Sequence, residues 1–325
     1  MIANACRTSV CVLGLFLAAT GAQAANTRTW VSGKGVDQAG CGVVASPCRT
    51  LQFAHDNTSA GGEIDVLDAA GYGSVVITRS INIINDGVGV AGVLTPAGGT
   101  GITISTQSTD KVVLRGLTIE GAGVGANGIA VLSVGTLDVA NCVMQQFVGQ
   151  NGGTNNLGNG IVVVAMSGTP TIVLSNTTST GNDYAGLLVD TPAGSTANVR
   201  LTLDRVVMTH NVFGINVRNR NNTGSVSHFV AVSNSVVTEN PTNGIAVQGY
   251  AGQVVVNVDS TLMSNNGSGI YVNGANAKAY VGRSVATNNS FGLLNNAGVL
   301  NSYKNNQIDG NGTDSSGAIT ALTFK

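Results

Sequence analysis

Short blocks of alternating apolar and polar residues recur along this chain. A twelve-residue pattern occurs eight times, with almost wholly aliphatic residues at its second and fourth positions and mostly polar residues at its third and fifth. Alternation with a period of two predicts a strand that has one buried face. The eight copies begin at these residues: Lys111, Thr136, Thr171, Arg200, Phe229, Val255, Lys278 and Leu300.

A glycine–aliphatic segment follows each copy within a few residues, as in Gly214-Ile215-Asn216-Val217. It predicts a second strand in each repeat, and positions seven to nine predict a third, more mixed strand. Copies spaced 22 to 35 residues apart are typical of a solenoid, in which stacking buries the apolar face that one unit cannot bury alone. Parallel stacking places successive coils about 4.8 Å apart.

Position twelve of the pattern is almost always asparagine. Stacked amides can hydrogen-bond along the axis of a parallel stack, and asparagine tolerates the left-handed backbone of a tight bend. We therefore interpret this column as a structural ladder, because a catalytic site does not need one residue type in six successive coils. The ladder residues are Asn182, Asn211, Asn240, Asn266, Asn289 and Asn311.

The N-terminal region predicts export followed by a cap. Arg7, an apolar run over residues 10–19 and Ala22-Gln23-Ala24 are typical of a secretory signal peptide over residues 1–24. The apolar run is too short to span a bilayer, so we expect a secreted or periplasmic protein without a transmembrane segment. Residues 25–62 predict an N-terminal cap with one strand and a short helix, with Ser46-Pro47 as its start. Residues 63–325 predict the solenoid.

Three cysteines lie beyond the predicted signal peptide. Cys41 and Cys48 are seven residues apart, and in an oxidising compartment this spacing allows a local disulfide. Cys142 falls at a repeat position that is often apolar, which favours a buried structural thiol over a nucleophile. The sequence leaves open whether Cys142 is free.

The stretch CRTLQFAHDNTSAGGEIDVLDAAGYGSVVITRSINIINDG resembles the opening of right-handed parallel β-helix proteins of the pectate-lyase-like superfamily. The resemblance implies an all-β, single-stranded right-handed parallel β-helix with a short N-terminal capping helix. That superfamily holds lyases, esterases, hydrolases, epimerases, adhesins and non-catalytic proteins. The acidic cluster of calcium-dependent pectate lyases and the Gly-His-Gly and Arg-Ile-Lys motifs of polygalacturonase-like hydrolases are absent from this sequence.

The charge and composition of the chain limit the classes of partner that we expect. Fifteen basic and sixteen acidic residues give a net charge of −1, and no basic patch is present to attract nucleic acid or an anionic membrane. Forty-five glycines disfavour helices. No three-ligand metal cluster is visible, so no cofactor is predicted, and Ca²⁺ lacks the acidic cluster that would support it.

A polar patch is predicted two and four residues beyond the repeat glycine, where strands of successive coils would expose unlike side chains. Arginine can bind a sugar carboxylate through two parallel hydrogen bonds, and tyrosine can stack on a sugar ring. Asp190 and Arg218 are the catalytic candidates, and the substrate-binding candidates are Asn216, Gln248, Tyr271 and Asn273. The alternative is a solvated strand face in which Asp190 and Arg218 form an ordinary surface ion pair.

Two further acidic candidates occur in the repeat. Asp204 and Asp259 share a column two coils apart, about 9.5 Å, which is near the upper end of the separation in inverting glycosidases. Nothing in the sequence raises one pKa relative to the other, as acid–base catalysis requires, and aspartate at a strand end commonly satisfies a turn. His210 and Glu239 are neighbours on adjacent coils and form either a general-base pair or a surface turn contact.

The remaining histidines, His55 and His228, have no partner that the sequence identifies. Three functions remain open. The first is a secreted β-helix protein that presents an elongated glycan-binding surface without catalysis. The second is a polysaccharide lyase or glycoside hydrolase acting on an acidic polysaccharide, and the third is a structural or adhesive surface protein. An extracellular polysaccharide is the predicted partner of the first two.

Overall fold

A computed structural model describes residues 26–149, 156–219 and 226–323. The predicted signal peptide lies outside the described residues. The first strands of the chain are β1 (Asn26–Val31), β2 (Thr58–Val66), β3 (Ala70–Gly71), β4 (Val75–Ile77), β5 (Ile81–Ile84), β6 (Ala91–Leu94), β7 (Thr100–Ser105), β8 (Lys111–Arg115), β9 (Leu117–Glu120), β10 (Asn127–Ser133), β11 (Thr136–Ala140), β12 (Val143–Gln145), β13 (Asn159–Val163), β14 (Thr171–Ser175), β15 (Thr178–Thr180) and β16 (Ala185–Asp190).

The remaining strands of the described chain occur with similar spacing. They are β17 (Arg200–Asp204), β18 (Val207–Thr209), β19 (Phe213–Asn219), β20 (Ser227–Ser233), β21 (Val236–Thr238), β22 (Asn243–Gly249), β23 (Gln253–Asp259), β24 (Leu262–Ser264), β25 (Ser268–Asn273), β26 (Ala277–Gly282), β27 (Val285–Thr287), β28 (Phe291–Asn295), β29 (Val299–Tyr303), β30 (Gln307–Ile308), β31 (Thr313–Ser316) and β32 (Ile319–Leu322).

Every third strand joins the same parallel sheet, so the chain coils through three sheets in turn. Sheet A has twelve strands in the order β1-β2-β5-β8-β11-β14-β17-β20-β23-β26-β29-β32. Sheet B holds ten short strands from β3 to β30, and sheet C holds ten strands from β4 to β31, which carry the glycine–aliphatic segments. Aliphatic side chains from all three sheets form one continuous core along the axis. The architecture is therefore a parallel β-solenoid.

The strand register explains the repeat. On β17, Leu201 and Leu203 are buried and Thr202 is exposed, as period-two alternation predicts. Each sheet A strand pairs residue for residue with the corresponding positions of the next copy. The predicted start of the eighth copy is wrong by one residue: Val299, and not Leu300, pairs with Lys278. The turn between β29 and β30 contains one extra residue, which restores the frame at Gln307 opposite Val285.

A short helix, α1 (Leu51–Asp56), follows the disulfide-containing loop near the first strands. Leu51 and Ala54 are fully buried in the core. The predicted start at Ser46-Pro47 is wrong, because the Thr50 side chain accepts a hydrogen bond from the Phe53 N–H and is the N-cap. The predicted disulfide between Cys41 and Cys48 is confirmed. Cys142 is free and buried, and burial raises the pKa of its thiol to about 11.

The position-twelve asparagines form a hydrogen-bonded ladder through the bend between sheets B and C. The Nδ2 of each donates to the Oδ1 of the next, at distances from 2.7 Å for Asn182–Asn211 to 3.3 Å for Asn211–Asn240. The ladder ends where Asn311 donates to Asp314 Oδ1 at 3.0 Å. Each Oδ1 also accepts the backbone N–H of the preceding asparagine. The amides thus satisfy buried backbone groups at every bend.

A column of repeat glycines runs beside the asparagine ladder. A Cβ atom on Gly186 would lie 2.7 Å from the carbonyl oxygen of Gly214, and a Cβ on Gly214 would lie 2.6 Å from that of Gly244. Side chains are therefore excluded here by the close approach of successive coils. Along the described chain, no helix is long and apolar enough to cross a lipid bilayer.

Candidate functional site

The structure brings the predicted polar patch together on the outer face of sheet C. Asp190 pairs with Arg218 in the register of β16 and β19, and Arg218 with Gln248 in that of β19 and β22. Arg218 Nη2 donates to Asp190 Oδ2 at 2.8 Å. The alternative of an ordinary surface ion pair is wrong, because Asp190 is only 3% and Arg218 only 5% exposed.

Tyr184 and Asn156 both contact the arginine of this buried ion pair. Tyr184 and Phe213 contact each other with ring centres 5.2 Å apart, and Tyr184 joins an apolar cluster on the outer face of sheet C. Arg218 Nη1 donates to the Tyr184 hydroxyl at 2.5 Å, and Nη2 also donates to Asn156 Oδ1 at 3.1 Å. Because Arg218 is buried and already paired, its guanidinium stabilises the fold and is not accessible to a sugar carboxylate.

The ion pair is one end of a chain of polar side chains that rises to the surface. Gln248 Nε2 donates to the buried Asn216 Oδ1 at 3.0 Å, and the Tyr250 hydroxyl donates to Gln248 Oε1 at 3.3 Å. Asn273 Nδ2 then donates to the Tyr250 hydroxyl at 2.6 Å. The hydrogen bonds therefore link side chains of β19, β22 and β25 with Tyr250, just beyond β22.

We call the exposed end of this chain the amide–tyrosine patch: Gln248, Tyr250, Tyr271, Asn273 and Asn296. Asn296 Nδ2 donates to Asn273 Oδ1 at 3.0 Å. Burial raises the pKa of Tyr271, the neighbouring Tyr250 raises it further, and a hydrogen bond with Asn296 opposes both. Tyr250 is 46% exposed. The patch thus offers two phenol rings and three amides, with no formal charge of its own.

The sequence identifies no partner for His228, but the structure gives it two. It lies on β20, fully buried beside the Asp190 region, with its Nε2 3.1 Å from Thr191 Oγ1. The Val199 N–H donates to its Nδ1 at 3.4 Å, which requires the neutral ring with the proton on Nε2. Burial lowers its pKa to about 4, against the raising effects of Ser227 and Asp190. His55 is likewise buried and partnered, by Asp56 and the Thr78 N–H.

Asp204 and Asp259 occupy one column of sheet A with Ser233 between them. Asp204 accepts hydrogen bonds from Asn234 Nδ2 at 2.8 Å and Ser233 Oγ at 3.1 Å, and it pairs with Arg205. These hydrogen bonds, the first above all, lower its pKa. Asp259 pairs with Arg283. Each carboxylate is thus paired with its own arginine.

The exposed side chains of His210 and Glu239 contact each other through Nε2 and Oε2 in the bend between sheets B and C. Together with Asp183 and the ladder residues Asn182 and Asn211 they line an open pocket of about 450 Å³. Within residues 26–149, 156–219 and 226–323, no three His, Cys, Asp or Glu side chains are placed to hold a metal ion.

Tyr184, Tyr250, Asn156 and Asn296 are partners that the sequence analysis missed. Tyr184 stands two residues before a repeat glycine, and Tyr250 six residues after one, outside the columns that define the predicted patch. An aromatic residue at such positions in a repeat of small polar residues is the signal that could have identified them.

Comparison with solved structures gives two similar folds. The A-module of the mannuronan C-5 epimerase AlgE4 of Azotobacter vinelandii matches with a TM-score of 0.50 and 13% identity, over 81% of this chain and 87% of that one. Pectate lyase Pel9A matches with a TM-score of 0.51 and 13% identity, over 88% of this chain and 80% of that one. The fold is that of a pectate-lyase-like parallel β-helix.

No protein-family model matches this parallel β-helix, and no curated protein matches it in sequence. At 13% identity to the two solved structures, the likeness shows the fold alone. Function must therefore be argued from the side chains of this chain, because one fold hosts many activities.

Proposed function

We propose that this protein is a secreted parallel β-helix protein that binds a polysaccharide along the outer face of sheet C without catalysing its cleavage. The amide–tyrosine patch carries the proposal. Tyrosine offers an apolar ring and a polar hydroxyl, and the amides of Gln248, Asn273 and Asn296 offer both donors and acceptors. A sugar presents the same alternation of apolar C–H faces and hydroxyl groups.

Preorganisation supports the same proposal. The patch side chains are hydrogen-bonded to one another and to the buried Asn216, so little side-chain freedom is left to lose on binding. Successive strands repeat about every 4.8 Å, which suits a ligand that extends along the solenoid axis. The exposed patch has no formal charge, and this favours a neutral chain over a polyuronate.

Affinity electrophoresis in gels containing neutral glucans, glucomannan, alginate or pectate tests the proposal. We expect retarded migration with at least one neutral polysaccharide, and about tenfold weaker retention for Tyr271→Ala and Tyr250→Ala because each loses a stacked ring. Phe229→Ala is the matched control, since Phe229 is an exposed aromatic residue on sheet A. Equal retention of all three variants would contradict the proposal.

The alternative is a lyase or hydrolase acting on an acidic polysaccharide. Two observations favour it: the similar solved structures are, by name, an epimerase and a pectate lyase, and the His210–Glu239 pair lines a pocket that is open to solvent. New reducing ends or unsaturated products from alginate or pectate would establish this alternative. Their loss in folded His210→Gln would then locate the site in that pocket.

Export and capping belong to the same proposal. The disulfide between Cys41 and Cys48 is typical of an oxidising compartment and supports secretion or a periplasmic location. Helix α1 packs on β1, β2 and β4, which supports a role in closing this end of the solenoid. We expect the chain to coil in a right-handed sense, because crossover connections between parallel strands are almost always right-handed. A structural or adhesive role is the interpretation left if no polysaccharide binds and none is cleaved.

A further inference from the structure

A second pocket, of about 230 Å³, lies on the outer face of sheet A near its C-terminal end. Tyr280 on β26 and Tyr303 on β29 line it from two adjacent strands. Its volume is below the roughly 300–1,000 Å³ of sites that hold drug-sized ligands. The pocket therefore suits a ligand of one ring and not a folded or branched molecule.

Gly282 keeps this pocket open. It lies opposite Asp259 on the paired strand of sheet A. A Cβ atom placed on it would lie 3.2 Å from Tyr303 Cδ2. Gly282 does not have a positive φ, so a side chain is kept out by space and not by backbone conformation. The absence of a side chain at this position leaves the Tyr303 ring accessible from the pocket.

The rim of the pocket is polar and electrically balanced. Asp259 and Arg283 form an ion pair there, and Asn305 Oδ1 accepts the Arg283 N–H at 3.1 Å. Asn257 adds another amide. Carboxylate and amide oxygens can accept hydrogen bonds from a pair of hydroxyl groups, and a guanidinium can donate to one. A ligand with its own carboxylate would meet Asp259 and has no unpaired cation in this rim to bind.

We propose that the Tyr280–Tyr303 pocket binds one ring of a neutral sugar, with a C–H face of the ring on tyrosine and its hydroxyls on Asp259, Arg283 and the amides. The site lies on sheet A and shares no residue with the amide–tyrosine patch of sheet C. The protein would then engage saccharides on two different faces. This second site stands or falls independently of the proposed polysaccharide-binding face.

The test uses saturation-transfer difference NMR on a parent protein that carries Tyr250→Ala and Tyr271→Ala, so that the amide–tyrosine patch does not contribute. The probes are methyl glycosides of glucose, galactose and mannose, with galacturonate as the charged probe. We expect signals from a neutral glycoside, their loss in Gly282→Val, and about tenfold weaker binding in Tyr280→Leu, which removes the aromatic face. Phe229→Ala, introduced into the same parent, should leave binding unchanged, since Phe229 is an exposed aromatic residue of sheet A outside this pocket. Circular dichroism establishes that each variant is folded.

Three results would overturn the proposal. The first is the absence of signal from all three neutral glycosides. The second is binding as strong as the parent's by folded Gly282→Val or, should that variant not fold, by folded Tyr280→Leu. The third is stronger binding of galacturonate than of any neutral glycoside, because a charge-balanced rim cannot prefer a carboxylate.

Discussion

Arg218 donates from Nη2 to Asp190 at 2.8 Å and from Nη1 to the Tyr184 hydroxyl at 2.5 Å, with its guanidinium carbon 5.5 Å from the centre of the Tyr184 ring. An arginine predicted to face solvent is thus held by a carboxylate and an aromatic ring. Removing one member of a buried ion pair leaves the other charge buried without compensation. Replacing both members with apolar residues leaves no such charge.

We therefore predict that Arg218→Ala and Asp190→Ala each lower the free energy of unfolding by about 3–5 kcal/mol. The double variant Asp190→Leu/Arg218→Met should lose less than the sum of the two single changes. Urea denaturation measures both effects. Asp138→Ala is the control: its partner Lys111 is 61% exposed, and such a pair contributes about 0–1 kcal/mol. Equal losses for Asp190→Ala and Asp138→Ala would contradict the prediction.

The buried His228 predicts a dependence of stability on acid. Its pKa falls to about 4 in the folded protein from an ordinary value of 6.5, so the unfolded chain binds the proton more tightly. The stabilisation is fully present above pH 6.5 and is lost as the pH falls from 6.5 through 4, to a total of about 3 kcal/mol. Urea unfolding of the wild type and His228→Gln at a series of pH values from neutral to acidic measures this loss.

His228→Gln should show a shallower decline of stability over that pH range, whatever its stability at neutral pH. His210→Gln is the control, because His210 is 64% exposed and its replacement leaves the buried histidine in place. Parallel pH profiles for the wild type and His228→Gln would show that His228 does not titrate in this way.

The asparagine ladder predicts that an interior amide matters more than a terminal one. Asn240 Oδ1 accepts the Asn211 N–H at 3.1 Å, and its Nδ2 donates to Asn266 Oδ1 at 2.9 Å. Asn240→Ala leaves a buried backbone N–H unsatisfied and should lower the free energy of unfolding by about 1–3 kcal/mol. Asn311→Ala, at the half-exposed end of the ladder, should lose less. Thermal and urea unfolding compare the two, and an equal or larger loss at Asn311 contradicts the prediction.

The disulfide closes a short loop at the start of the fold. In the chain-entropy description, a loop of this size, with the cysteines seven residues apart, stabilises by about 2–3 kcal/mol. Cys41→Ser/Cys48→Ser should lose that amount in urea denaturation. Adding a reductant should weaken the wild type to the same extent and leave the double variant unchanged. A reductant effect on the double variant would point to another bond.

The repeat made the architecture predictable because alternation of buried and exposed residues is a local property. Leu201, Thr202 and Leu203 show their orientation in the sequence itself, and the copies repeat it strand after strand. The single-residue error at Leu300 arose because an extra residue in a turn leaves both flanking segments looking regular. The start of α1 was misplaced because serine is a more common N-cap residue than threonine and because Pro47 follows Ser46, as is typical of a first helical position.

Burial on the outer face of sheet C could not be predicted in the same way. The column that contains Asp190 and Arg218 is outward-facing by periodicity, and only the fold shows that Tyr184 and Asn156 contact Arg218 there. The Tyr280–Tyr303 pocket could not be predicted for a related reason. Its lining residues come from different columns of the repeat and from different strands, and one of them is a glycine. Such sites depend on tertiary contacts that a repeat pattern does not encode.

The glycine column has a consequence for how this chain can change in length. Each repeat glycine meets the carbonyl oxygen of the next, and each ladder asparagine bonds its own copy one coil further on, until Asp314 ends the series. If a whole internal coil were duplicated in frame, its glycine and its ladder asparagine would therefore match those of the coils on both sides. Asp314 would still end the ladder. The number of coils can therefore vary, and a coil added before β22 would lengthen the solenoid without separating the sheet C patch from the sheet A pocket, because the two lie on the same coils.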